Sequence, residues 1–154
     1  MQKEEFLMAM RYLAASVSVF SAKDDNGKSY AMTASSVTSL TVNPPALLIC
    51  VNQSAGIHSA LRVGSDVCIN ILSNEQQEIS NLCSSTDSET DRFANEFWNQ
   101  EAVPFLKDAQ ASIFCSIDQL IPYHSHTIVI AQATSVTNAS TFNTLMYADG
   151  RYLG

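Results

Sequence analysis

Positive charge is scarce in this chain of 154 residues: eight Lys and Arg stand against fifteen Asp and Glu, a formal charge of −7. Binding to a polyanion is usually driven by a basic patch that releases counterions, so nucleic acid is not an expected partner. A small phosphorylated ligand needs only backbone N–H groups, hydroxyls and one or two local Arg, and stays open. Apolar runs of membrane-spanning length are missing, so no membrane segment is expected. The start Met1-Gln2-Lys3-Glu4-Glu5 lacks the basic region of a signal peptide, and a cytoplasmic protein is the expectation. The four cysteines, Cys50, Cys68, Cys83 and Cys115, form no C-x-x-C pair, which leaves a zinc site or compact disulfide framework unsupported and suggests buried reduced thiols. The chain has only five glycines, and none falls in G-x-G-x-x-G, G-x-x-x-x-G-K-[ST] or G-x-S-x-G. The dinucleotide-fold, P-loop and hydrolase-elbow readings therefore lack their loops.

What is present suits one domain over 1–154, with 46% hydrophobic and 15% charged residues and no linker or repeat. Phe6, Met10 and Leu13 recur at helical spacing and predict an amphipathic helix over 3–13 that packs across a sheet. Val17-Ser18-Val19-Phe20 and the segment 29–34 read as strands joined by an Asp25-Asn26-Gly27 hairpin turn. The continuous apolar runs 46–51 and 67–72 suggest strands covered on both faces. Ser73 and Gln76 have the form of a capping box before a short helix marked by Ile79, Leu82 and Cys83. Segment 84–91 reads as an exposed polar loop, 111–120 and 127–136 as two long strands, and 144–147 as a strand that could close the sheet. About seven strands with two or three short helices favour a mainly β barrel or sandwich.

Four places carry side chains suited to ligand chemistry. Met32-Thr33-Ala34-Ser35-Ser36 ends a strand in small residues and hydroxyls, which lets a ligand approach the backbone and meet donors; a plain polar strand end has the same composition. Asn52 leaves a buried strand and could serve a ring edge or a simple turn, while Ser54 could cap a helix carrying His58, itself a ligand contact or a surface position. Asn70 interrupts an apolar strand, either as a buried amide with partners or as an outward-facing residue. His124 and His126 share a strand face, but no further donors complete a metal set.

Taken in order, Met32-Thr33-Ala34-Ser35-Ser36-Val37-Thr38-Ser39-Leu40, Pro44-Pro45-Ala46-Leu47-Leu48-Ile49-Cys50-Val51-Asn52, Cys68-Ile69-Asn70-Ile71-Leu72, Asp91-Arg92-Phe93, His126-Thr127-Ile128 and Tyr147-Ala148-Asp149-Gly150-Arg151-Tyr152 resemble the short-chain flavin reductase family, the reductase components of two-component flavin-dependent monooxygenases. The resemblance implies a Greek-key split β-barrel with a few short peripheral helices, binding FMN or FAD, usually as a homodimer. It implies an NAD(P)H:flavin oxidoreductase that uses NADH or NADPH and passes reduced flavin by diffusion to a monooxygenase. A non-catalytic flavin carrier on the same barrel is the alternative. By the same resemblance the block from Met32 through Thr33, Ala34 and Ser35 to Ser36 would meet the ribityl and phosphate part. Cys50, Val51, Asn52 and Ser54 would line the ring, with His58 nearby and Asn70 and Ile71 beneath. Arg92 and Phe93 would serve the phosphate end, His126 would orient the nicotinamide, and Tyr147 and Arg151 would close the site. At Gln53 this chain departs from the basic residue that many members carry.

Overall fold

The computed structural model describes residues 2–85, 89 and 91–153. Its centre is a seven-stranded antiparallel sheet built from β2 (Ser18–Lys23), β3 (Ser29–Ala34), β4 (Thr38–Val42), β5 (Pro45–Asn52), β6 (Asp66–Ile71), β9 (Ala111–Tyr123) and β10 (His126–Asn138), in the order β3-β2-β6-β9-β10-β5-β4. The two edge strands, β3 and β4, are neighbours in sequence but are not paired with each other. A three-stranded sheet of β1 (Ala15–Ser16), β11 (Met146–Ala148) and β12 (Arg151–Leu153) stands beside the large one, and β7 (Trp98–Asn99) pairs with β8 (Phe105–Leu106). Helices are α1 (Lys3–Arg11), α2 (Gln77–Leu82) and short 3-10 turns at Gly56–Ala60 and Asn74–Gln76.

Local chemistry accounts for the predicted β2–β3 hairpin. The Asp24 carboxylate accepts from the N–H groups of Asn26 and Lys28, each at 2.9 Å, and Gly27 takes φ +82°, a conformation that glycine adopts without steric cost. The segment 29–34 returns as expected and pairs residue for residue with β2. Ser73 N–H donates to Gln76 Oε1 at 2.9 Å, the reach-back of a capping box, and opens the turn that leads into α2.

Strand β6 is the covered strand that its apolar run predicts. Val67 and Ile69 join Phe20, Leu47, Ile49, Val51, Ile117 and Val129 on one face of the sheet. On the opposite face Val17, Val19 and Leu72 pack with Ile79, Cys83, Trp98, Leu106 and Leu145. Each of the fully buried aliphatic side chains contributes about 1.5–3 kcal/mol relative to exposure.

Three expectations are corrected. Strand β5 is not covered on both faces: Leu47, Ile49 and Val51 are buried, while Ala46, Leu48 and Cys50 are only half-buried, the alternation of a one-sided strand. Segment 144–147 does not close the main sheet, because β11 pairs with β1 and β12 instead and Thr144 makes only an isolated bridge to Ser73. Helix α1 buries none of its residues in this chain. Phe6, Leu7, Met8 and Met10 on the helix, and Tyr12 and Leu13 after it, are exposed, so the apolar stripe is real but lacks a cover. All four cysteines are free, and Cys68, Cys83 and Cys115 are buried. Of the polar loop over 84–91, positions 86–88 and 90 lie outside the described residues.

Candidate functional site

The hydroxyl-bearing end of β3 is the ridge between two adjoining clefts. One, of about 290 Å³, is lined by Met32, Thr33, Asn52, Ser54, Gly56, Ser84, Glu89 and Arg92, among others. The second, of about 400 Å³, is lined by Thr33, Ala34, Ser35, Ser80, Asn81, Ser84, Tyr147, Gly150, Arg151 and Tyr152, with Val17 at its floor. Thr33 and Ser84 belong to both, so the two clefts form one groove bent around the strand end.

The first cleft begins where β5 runs out. Asn52 Oδ1 accepts from the N–H and the hydroxyl of Ser54, at 2.9 and 2.8 Å, and makes a side-chain turn. Ser54 is therefore not a helix cap, and the 3-10 turn starts after Ala55. At Gly56 the end of the exposed Glu89 side chain lies against the backbone, where a Cβ would displace it at little cost. Arg92 reaches in from the far side: Nη1 donates to the Ala31 carbonyl at 2.6 Å and Nη2 to Ser85 O at 2.9 Å. Its Nε is buried without a partner among the described residues. The Arg92 carbonyl accepts from Trp98 Nε1 at 2.8 Å, and Trp98 packs at 4.5 Å against Phe93, which fixes the segment.

The second cleft is built by the small sheet. A two-residue turn, Asp149 at φ +51° and Gly150 at φ +74°, joins β11 to β12 and sets Tyr147 opposite Tyr152. Their rings meet edge to face at 5.3 Å. Arg11 anchors this turn by donating to the Asp149 carbonyl at 3.1 Å and pairing with its carboxylate at 3.5 Å. Opposite, Thr33 Oγ1 donates to the Ser80 carbonyl at 2.6 Å, Ser80 Oγ lies 2.7 Å from Tyr152 Oη, and Tyr152 Oη donates to Asn81 Oδ1 at 2.8 Å.

The structure thus brings Met32, Thr33, Ala34, Ser35, Asn52, Ser54, Arg92, Tyr147 and Arg151 to the groove. Phe93 lines a neighbouring hollow on the far side of Arg92. Ser36 turns instead toward β5, donating to Cys50 O at 3.2 Å and accepting from Cys50 N–H at 3.3 Å. Val51 is wholly in the core, Ile71 sits half-buried beside the same core, and Cys50 is half-buried on the other face of β5.

Asn70 is fully buried and committed to the fold. It donates to Val19 O at 2.8 Å and Ser21 Oγ at 3.0 Å, and accepts from Leu106 N–H at 2.8 Å. His58 is half-buried and tied to Thr127 at 2.9 Å, on a side of the 3-10 turn that does not line the groove. His126 is exposed, 2.8 Å from Ser125 Oγ, and is the register partner of Asn52, so the two side chains share a sheet face without meeting in the cleft. Sequence reasoning missed Ser80, Asn81 and Glu89 as lining residues, and passed over Tyr152. Only the capping box, which places Ser80 and Asn81 on a helix, gave any signal for them.

Comparisons with known proteins converge on this chain. The model of the flavin reductase-like domain matches residues 10–154. The FMN reductase (NADH) RutF of Pseudomonas syringae is 32% identical over 149 residues, which cover 96% of this chain and 83% of that protein. The reductase component of the FADH(2)-dependent resorcinol hydroxylase of a Rhizobium species is 32% identical, over 97% of this chain and 85% of its own. Among solved structures, the styrene monooxygenase flavin reductase of Pseudomonas putida superposes with a TM-score of 0.87 at 25% identity, over 97% of this chain and 96% of that one.

Proposed function

The chain belongs to the flavin reductase-like family, and from that premise we propose that it is an NADH-dependent flavin reductase, reducing FMN or FAD and releasing the product to a separate monooxygenase. The carrying observation is the bent groove around Thr33: a cation-bearing arm at Arg92 joins an arm walled by hydroxyls and by the Tyr147–Tyr152 pair. A molecule with a phosphate at one end and a planar heterocycle at the other fits such a division. Arg92 would hold the phosphate end and Thr33 would lie against the ribityl chain, as the resemblance implies; Asn52 and Ser54, which it implies along the ring, share the Arg92 arm and in this reading serve the phosphate end instead, while Tyr147 and Arg151 would enclose the ring. Arg92 lines the first arm, and its Nη1 and Nη2 each carry a second hydrogen beyond those given to Ala31 and Ser85. Glu89 stands in that arm as well and opposes an anion, so the balance between the two sets how tightly phosphate is held.

Bound flavin supplies the two-electron acceptor chemistry, and the protein supplies position and electrostatics. Hydride transfer asks no proton of a side chain, so the groove's duty is alignment and exclusion of water from the reacting faces. His126, beside Asn52, stands next to the phosphate arm and would steady the nicotinamide dinucleotide as a positioning residue.

The relatives' names include an NADH-dependent FMN reductase and a hydroxylase reductase component, which favour NADH and a diffusing reduced flavin. The strand order, with sequence neighbours β3 and β4 at the two edges and Ser36 linking across to β5, favours a split barrel. A homodimer is part of the same reading: Leu7, Met10 and Leu13 border a hollow that shares Ser35, Tyr147 and Gly150 with the groove, so a second copy covering α1 would border the site. Four free thiols accord with a reducing, cytoplasmic setting.

The test is an anaerobic mixture of protein, NADH and excess FMN or FAD, followed at the oxidised-flavin absorbance. Multiple-turnover bleaching is expected; flavin binding without turnover by NADH or NADPH would make the protein a carrier. Light scattering at micromolar concentration is expected to give a dimer, and a monomer would remove that element.

A further inference from the structure

We infer that the Thr33–Ser80–Tyr152–Asn81 cluster is a recognition device for an amide-type edge, an N–H donor beside a carbonyl acceptor, and that Tyr152 is its specificity-determining residue. The inference rests on the flavin reductase reading, which says that two such edges reach the groove: the imide edge of the flavin ring and the carboxamide of the nicotinamide.

The argument is a count of protons. Tyr152 has one hydroxyl hydrogen, and it goes to Asn81 Oδ1 at 2.8 Å. The 2.7 Å contact between Ser80 and Tyr152 must then use the hydrogen of Ser80, since that of Tyr152 is already placed. Thr33 gives its hydrogen to the Ser80 carbonyl at 2.6 Å. Every hydroxyl hydrogen in the cluster is therefore held by the protein. Tyr152 Oη keeps one lone pair and Thr33 Oγ1 keeps two, so toward the groove these groups accept and do not donate. Asn81, exposed on α2, has one lone pair of its oxygen taken by Tyr152, and its Nδ2 has no partner among the described residues, so it presents donors beside one remaining acceptor site.

An accepting phenol flanked by a donating amide is the complement of a ligand edge that reads N–H next to C=O. The lone pairs of Tyr152 and Thr33 disfavour an acceptor set directly against them, while Arg151 lines the same arm, so the discrimination lies in the donor and acceptor pattern and not in charge. Ser80 is 1% exposed and acts through Tyr152 by fixing the direction of its hydroxyl, a positioning role.

Two analogues separate the two sources in wild-type protein without any substitution. FMN methylated on its ring imide nitrogen lacks the flavin donor, and the reduced 3-acetylpyridine analogue of NADH lacks the carboxamide donor. Loss of one neutral hydrogen bond corresponds to roughly three- to tenfold. We expect methylated FMN to bind at least that much more weakly in an equilibrium titration if the flavin edge is read, or the pyridine analogue to show that rise in KM with kcat retained if the carboxamide is read. In Tyr152→Phe, which keeps the ring and its packing on Tyr147, the affected preference should fall to near unity. Ser80→Ala should lessen it only in part. Normal FMN reduction with neither analogue discriminated more by wild type than by Tyr152→Phe overturns the inference alone. Wild-type protein that neither binds FMN nor oxidises NADH overturns the reductase reading, and this inference with it.

Discussion

Two asparagines on strands separated by β9 and β10 look alike in sequence, each polar beside an apolar run, yet they sit in opposite surroundings. Around Asn70, in β6, every hydrogen-bonding group of the amide is matched within the protein, and the residue latches β2 to the segment before β9. At Asn52, the last residue of β5, only the oxygen is engaged among the described residues, by Ser54, and the rest of the amide borders an open cleft. The buried region uses its polar groups to define the fold; the rim keeps some in reserve. Binding chemistry belongs where the capacity is left over.

The largest expected effect tests the closed region through its thiols. Burial pushes Cys83 up to about 12, Cys115 up to about 11, and Cys68 higher still. The folded state keeps protons that the unfolded chain loses above its thiol pKa near 9, so stability is full below that pH and falls as pH rises toward the folded values. Each thiol can remove up to ~1.4 kcal/mol per pH unit over that window. Urea midpoints at pH 8 and pH 10 check it, and a Cys83→Ala variant should show a shallower decline; an equal slope would dissociate the loss from Cys83.

Next is Asn70→Ala, which strands the buried Leu106 N–H and takes a side-chain donor from Val19 O and Ser21 Oγ, and should cost about 1–3 kcal/mol in chemical unfolding. Flavin affinity of the folded fraction should hold. A third and smaller change, Asn52→Ala, should weaken FMN about tenfold while lowering stability by no more than ~1 kcal/mol, the value of one local hydrogen bond. The pair of asparagine variants is thus expected to divide cleanly between folding and binding; unchanged affinity in a fluorescence titration would remove Asn52 from the site. The smallest effect is Glu89→Gln. Removing a charge that opposes the phosphate across partly solvated space should tighten FMN by roughly two- to threefold and leave riboflavin, which has no phosphate, unaltered. Equal gains for both ligands would mean that Glu89 acts sterically.

Features set by neighbours in sequence were legible beforehand. The Asp25-Asn26-Gly27 turn and the capping box from Ser73 follow from local chemistry, whereas apolar runs of equal length marked both β6, which is covered on both faces, and β5, which is not. Helix α1 shows the limit: its period announces an apolar face but cannot say whether that face meets its own sheet or another chain. In the site, the blocks around Thr33, Asn52, Arg92 and Tyr147 were found through resemblance, while the Ser80–Tyr152 pairing joins residues 72 positions apart. Neither has a periodicity or spacing that signals the contact, because the small sheet that carries Tyr152 forms only when β1 and β11 meet across almost the whole chain.

The link between Ser36 and Cys50 has a dynamic consequence. Pairing of β4 with β5 extends only to Leu48, so on that side of β5 the Cys50 peptide is met by a single hydroxyl that both gives and takes a hydrogen bond. A ladder rung is held by two backbones; this one is held by a rotor. Amide exchange along β5 should therefore be fastest at Cys50 relative to its ladder-bound neighbours, beyond the point where β4 stops covering β5.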